Sequence, residues 1–330
     1  MLKAAAAGTP VRAKSGVPDL ARTLRRELAV WLLALPALLL FFIFLWQPLV
    51  STVINSFFAM TGFAPTRFTG IENYQIALQD PVVRHALVNG IVYVAWSLLL
   101  GIPVPLIMAI VINELRWFSG VFRFAVYLPS LIPGVITSLM WVFILDASKS
   151  GLANRLLGIV GVGPVGWLQD PNITIPVIVL TMVWNGFGGT TLLYIARLQG
   201  LDRELYDAAA IDGAGLLRRV LSITLPQISG LIALFIVFQV IGAFQILVQP
   251  LVMTGGGPNY ASVSPLLMSF QAAFQFNDPE ESNVISVVTF IILAVLTAGY
   301  LLMQGRDARA SRSAERKARQ RRRRGPHDAK

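Results

Sequence analysis

The stretch "LDRELYDAAAIDGAGLLRRVLSITLPQ", residues 201–227, reads as a piece of water-soluble protein set between apolar segments. Asp202 is placed to cap a helix, and Glu204 lies near its positive N-terminal end. Arg203 and Asp207 are four apart and can pair across one turn. Ala208, Ala209 and Ala210 favour helix and leave a face that another surface can approach closely. Gly213 and Gly215 permit the chain to reverse. A second amphipathic piece, "LLRRVLSI", then runs to Pro226, where regular helix is expected to stop or bend.

The rest of the chain explains why such a segment stands out. Of its 330 residues 55% are hydrophobic and only 13% charged, with a mean hydropathy of +0.67. Soluble domains carry about 25% charged residues, so the solvent for much of this chain is lipid. There is no cysteine, which removes disulfides, thiol chemistry and cysteine metal sites.

Crossing about 30 Å of hydrocarbon takes roughly 20 helical residues. Uncharged stretches of that length fall within 28–66, 85–113, 124–145, 171–196 and 282–305. A 58-residue uncharged run, 220–277, holds one more at 230–253; "TGGGPNYASVSP" then breaks any helix, and "LLMSFQAAFQFN" is too short and polar to span comfortably. The apolar core of the first stretch is too long for a cleavable signal, and bulky "FLWQPL" follows it. Six spans result. They place 23 of the 27 Lys and Arg on one side, with both ends and the loops near 113–123 and 197–229. Cytoplasmic loops are enriched in these residues, so both termini are expected in the cytoplasm. The expected fold is thus an all-α integral membrane protein of six transmembrane helices. A basic N-terminal tail occupies 1–28, the membrane domain 29–304 (charged inner loop 197–229, core about 83–303), and an Arg-rich tail 305–330. That tail is expected to be disordered, to touch anionic headgroups and to bind no nucleic acid.

"ELYDAAAIDGAGLLRRVLSITLP" resembles the EAA loop of binding-protein-dependent ABC importer permeases in its sugar-permease form. Asp207 replaces the usual Glu and Val220 a common Phe, whereas Ala208, Ala209, Asp212, Gly213 and Ala214 match. "FTGIENYQIALQDP", "FRFAVYLPSLIPGVITSLMWVFIL", "GLANRLLGIVGVGPVGWLQDP" and "VMTGGGPNYAS" resemble further family elements in order, from about Phe68 to Leu302. The arrangement is similar to maltose and multiple-sugar permeases. The resemblance implies the type-1 importer fold in a bacterial inner membrane. It implies that Glu204, Asp207, Ala208, Ala209, Asp212, Gly213 and Ala214 form a cytoplasmic coupling helix seated in an ATPase cleft. The implied partners are a second homologous permease, two ATPase subunits that carry ATP-Mg, and an extracytoplasmic sugar-binding protein. The outer loops 146–170 and 254–281 would face that binding protein. No cofactor is expected on this chain.

All 44 Asp, Glu, Lys and Arg lie outside the assigned spans. Ion- and proton-driven carriers generally place ionisable groups inside the membrane, despite their cost; energy here is expected to come from outside the bilayer. The chain is not itself the ATPase, because Lys14-Ser15 and Lys149-Ser150 lack the glycine framework of a phosphate loop. His85 and His327, the only histidines, form no hydrolytic constellation, so no enzyme activity is expected. Uncharged polar and aromatic groups remain for a solute: Trp184 and Asn185, then Gln239, Phe244, Gln245 and Gln249 at spacings that could share one helix face. The same residues could instead be contacts between helices. Prolines 103, 105, 129 and 133 mark kinks that face a cavity or serve packing. Two alternatives stand beside the sugar permease. One is a stand-alone homo-oligomeric channel or carrier; the other is an ABC permease for a charged solute such as a glycerol phosphate.

Overall fold

The computed structural model describes residues 20–115 and 119–323. Residues 1–52 and 53–330 form separate compact units. In the first, helix begins at Leu20, within the segment expected as a tail, and a π turn at Phe42–Trp46 precedes Gln47–Asn55. Residues 1–19 of that tail, and 324–330 of the other, lie outside the described residues. We call α1 the apolar stretch Val30–Asn55, which is long enough to cross a membrane.

In the second unit a hairpin, β1 (Phe58–Thr61) and β2 (Ala64–Phe68), pairs antiparallel with a register shift at Ala59/Met60. A short α2 (Glu72–Gln79) leads to α3 (Pro81–Glu114), whose N-terminus Asp80 caps by accepting from the Val82 amide at 2.6 Å. Pro81 at the first helical position suits this start, since its missing N–H would be unpaired there anyway. Pro103 and Pro105 cost α3 only a one-residue break at Ile102.

The third crossing is not the continuous helix expected over 124–145. It is two helices, α4 (Ser119–Leu131) and α5 (Gly134–Ile144), bent by 95°. Pro129 and Pro133 flank the bend, and each removes a backbone donor. The freed carbonyls are paired from α7 (Thr174–Gln199), where Asn185 Nδ2 donates to Pro129 O at 2.9 Å and Ile132 O at 3.3 Å. A neighbouring helix thus supplies the donors that lipid cannot. Between α5 and α7 lies α6 (Leu152–Ile159).

α8 (Arg203–Ile211) precedes α9 (Leu216–Phe244), which runs through Pro226 without stopping. A π turn at Val220–Thr224 absorbs the proline, widening the helix just before a residue that cannot donate. The fifth crossing therefore starts and ends earlier than 230–253. It stops at Phe244, and α10 (Val248–Thr254) and α11 (Pro265–Phe274) are two short helices that complete the 58-residue run without a further crossing. α12 (Pro279–Arg323) holds the last span at Pro279–Leu302. It continues as helix far into the tail expected to be disordered. A helix already nucleated in the membrane propagates readily through Ala, Arg, Gln and Lys. Among the described residues five helices are thus long and apolar enough to cross a membrane, six with the bent pair counted as one span.

Three buried clusters hold the second unit together. Val83, Ala86, Val263, Leu267 and Ile285 join α3, α11 and α12 near the first turns of α3. Tyr93, Ile178, Val179, Ala243 and Met253 fill the middle. Ala109, Ile112, Tyr194, Ile228 and Phe235 close the opposite end, with the Tyr194 and Phe235 rings edge-on at 4.9 Å. Where α4 crosses α7, backbones touch: a Cβ on Gly188 would sit 2.3 Å from Val126 O. Close approach through small residues is how membrane helices gain packing energy without a hydrophobic drive.

Candidate functional site

The segment expected to couple, α8, is a helix with both ends finished by its own chain. Asp202 caps α8 by accepting from the Glu204 amide at 3.0 Å. At the other end Gly213 takes φ +74°, its N–H meets Ala210 O at 3.0 Å, and the Ala214 N–H meets Ala209 O at 2.9 Å. These two bonds make a complete Schellman cap, which needs a left-handed residue where only glycine is unstrained. Gly215 is different: at φ −65° it is ordinary backbone, so a single glycine makes the reversal. Asp212 sits at the C-cap. Arg203 and Asp207 both line the groove behind the helix and form no ion pair with each other.

One tether ties this element to α9, and a second joins the crossings α7 and α9 beside it. Tyr206 and Thr224 share a hydroxyl hydrogen bond of 2.9 Å, and Arg197 at the end of α7 donates to Gln227 O at 3.1 Å. Between the tethers the outer face is bare. Glu204, Leu205, Asp207 and Ala208 are exposed, Ile211 is 87% exposed and Leu217 72%. Ala209 and Ala214 are half-buried. Apolar side chains presented this way on a short capped helix form a surface shaped for a partner.

The six solute candidates separate. Gln239 lines a pocket of about 230 Å³ in the middle of the crossings, with Gly101, Gly186, Phe187 and Thr190. Its amide lies so close to Gly101 that a Cβ there would come 2.5 Å from Nε2. Trp184 packs edge-on against Trp141, ring centroids 5.5 Å apart, and the buried Trp141 indole N–H has no acceptor. The Asn185 amide is occupied by the α4–α5 bend and by Thr137 Oγ1 at 3.1 Å. Phe244, 2% exposed, lies against Gly90. Gln245 is at the helix end and Gln249 on α10, so the shared face expected for the four residues does not form. The break at 245–247 is the physical reason, because it reorients everything after Phe244.

A second pocket, about 330 Å³, opens near the first turns of α3 between His85, Asn89, Trp96, Asn172 and Asn259. Sequence reasoning passed over these residues, Thr190 and Gly186. Their only signal was polar side chains on apolar helices, which helix contacts also use. The loop above this pocket is held tightly. Asn89 Nδ2 donates to Tyr260 O at 2.9 Å and Val263 O at 3.0 Å, and the Tyr93 hydroxyl donates to Ser262 O at 2.8 Å. In the 146–170 segment, Asn154 donates to Val165 O at 3.1 Å and accepts from the Trp167 indole at 3.0 Å. Side-chain and backbone hydrogen bonds from Ser148 hold the Asp146 carboxyl below its usual range. No group of three or more metal-ligating side chains occurs among the described residues.

The part of the chain that holds the bent crossing, the capped helix and the tethered loop matches a known family. Residues 101–312 fit the model of the binding-protein-dependent transport system inner membrane component. The chain belongs to this family. It is similar to a probable ABC transporter permease protein, YurN, of Bacillus subtilis, with 31% identity over 83% of this chain and 94% of the relative. It is similar also to the trehalose/maltose transport system permease protein MalF of Thermococcus litoralis, with 32% identity over 82% and 92%. Among solved structures, a bacterial ABC transporter involved in importing the acidic polysaccharide alginate shares the fold. It superposes with TM-score 0.76 at 22% identity, covering 87% of this chain and 98% of that one. As a family member the chain is an inner-membrane permease component, and its relatives are transport permeases rather than enzymes.

Proposed function

We propose that this permease is one of two membrane-spanning subunits of an ATP-driven importer for a neutral sugar or oligosaccharide, and that α8 couples it to a cytoplasmic ATPase. The observation that carries the reading is the capped, exposed helix held to α9 by Tyr206–Thr224, beside an Arg197–Gln227 bond that joins α7 to α9. A rigid element set between two crossings that are bonded to each other transmits a push to both instead of folding under it. Glu204, Asp207, Ala208, Ala209, Asp212, Gly213 and Ala214 form the docking element on this reading, with α8 in the cytoplasm and both termini on that side. ATP-Mg stays on the partner ATPase.

The pathway reading rests on the mid-span pocket. Gln239 and Thr190 offer hydrogen bonds, Phe187 offers an aromatic face for a sugar ring, and no charged side chain lines the cavity. The names of relatives, which include arabinooligosaccharide and lactose permeases, favour the same class of solute. An extracytoplasmic binding protein would deliver it to the end of the molecule where Asn89 and Tyr93 hold the 254–264 loop. Affinity purification through this chain tests the assembly: an ATPase and a second permease should co-purify, and uptake into proteoliposomes should require ATP. Solute accumulation by this chain alone, with no nucleotide-binding subunit, would overturn it in favour of a stand-alone carrier.

A further inference from the structure

Behind α8 lies a groove of about 550 Å³. It sits at the end of α3 that carries Glu114, far along the helix from the Asn89 pocket, where the ends of α3 and α7 meet the starts of α4 and α9. Three guanidinium groups, Arg123, Arg203 and Arg219, line it against two carboxylates, Glu114 and Asp207. The Nε atoms of Arg123 and Arg219 are sealed from solvent and meet no acceptor among the described residues. A desolvated guanidinium nitrogen without an acceptor is unfavourable, so an anion seated in the groove would be stabilised. Its wall also includes Leu115 and Leu216, as a ligand with an apolar end requires.

We propose that this groove binds one phosphate-bearing anion between Arg123 and Arg219. Arginine suits the task, because its fork matches phosphate oxygens two at a time. The position, at the ends of the crossings, is the level of lipid headgroups, where basic pockets between helices take anionic phospholipids. A free phosphate compound offers the same oxygens. The site does not depend on the coupling role proposed for α8; only the choice of leaflet rests on that orientation.

The test uses the assembled transporter, purified by a tag on this chain and placed in phosphatidylcholine nanodiscs containing phosphatidylglycerol. Retained lipid is counted by native mass spectrometry. The intact protein should hold phosphatidylglycerol in preference to phosphatidylcholine. Arg123→Gln and Arg219→Gln should each weaken retention about tenfold, the scale of one charge-assisted hydrogen bond. Glu114→Gln should strengthen it, since it removes an opposing charge, and a misfolded groove would not give a gain. In a second arm, inorganic phosphate is added to lipid-depleted transporter in neutral detergent. Thermal stabilisation by phosphate with the same dependence on the three substitutions, without lipid retention, assigns the site to a free phosphate. Lipid and phosphate binding that ignore all three substitutions in an assembled transporter would overturn the proposal. If either arginine variant fails to assemble, the Glu114→Gln result decides alone: a gain supports the site and no change sinks it.

Discussion

The 254–264 loop, between α10 and α11, and the 200–215 segment, between α7 and α9, are both short, glycine-bearing connections, yet they are built in opposite ways. In the first, α3 donates to the carbonyls of buried Ser262 and Val263, buried Ser264 donates to Ile246 O, and Thr254 meets Ser262 through a 2.7 Å hydroxyl bond. Gln271 on α11 adds a bond to Gly255 O at 3.1 Å. Asn259 and Tyr260 even take left-handed backbone, at φ 48° and 61°, which persists where surroundings over-determine it. The second loop satisfies its backbone locally, through the Asp202 and Gly213 caps, and leaves Ile211, and Leu217 just beyond it, uncovered. One loop is completed by its own chain. The other is completed only at its ends, which is what an element docking elsewhere requires.

The sharpest attempt to break this contrast is Gly213→Pro. Proline cannot adopt a positive φ and deletes the bond to Ala210 O, so the cap fails. Uptake should be abolished while the protein inserts and purifies normally; wild-type uptake would end the coupling reading. Ala208→Trp should do nearly as much by blocking the exposed face, and the readout is loss of the co-purifying ATPase with the chain's own thermal stability unchanged.

Asn89→Ala probes the other loop. It strips donors from two carbonyls at once, and each buried group left unpaired costs about 1–3 kcal/mol. Thermal unfolding should fall clearly, while ATPase association persists. The reverse pattern would erase the distinction between the loops. Gly101→Ala should act more narrowly, because its methyl displaces the Gln239 amide without touching either loop. We expect a higher KM for uptake at near-normal stability. The smallest effect belongs to Tyr206→Phe, which removes one hydroxyl bond worth about 0.5–1.5 kcal/mol. It should raise the ATP consumed per solute moved, with little change in expression.

The spans and α8 were legible because each follows a one-dimensional rule. Uncharged stretches of sufficient length mark crossings, and Asp202 with Gly213 marks where α8 begins and ends. The solute candidates were less legible. Gln239, Phe244, Gln245 and Gln249 share a face only if helix continues, and a three-residue break at 245–247 redirects the last of them. Asn185 looked like a ligand donor, but the α4–α5 bend consumes its amide. The tail past Leu302 looked too charged to order, although its residues are good helix formers once a nucleus precedes them.

By itself, then, the sequence determined that lipid is the main solvent, where the chain crosses it, and which charged loop segment stands apart with its own caps. These follow from composition and local hydrogen bonding, which neighbours in the chain settle among themselves. Only the tertiary structure decided that the third crossing folds at 95°, that Gln239 rather than Phe244 reaches a cavity, and that Arg123 and Arg219 line one groove. Each of these depends on groups dozens of residues apart competing for the same donors and the same space, and no local pattern records who wins.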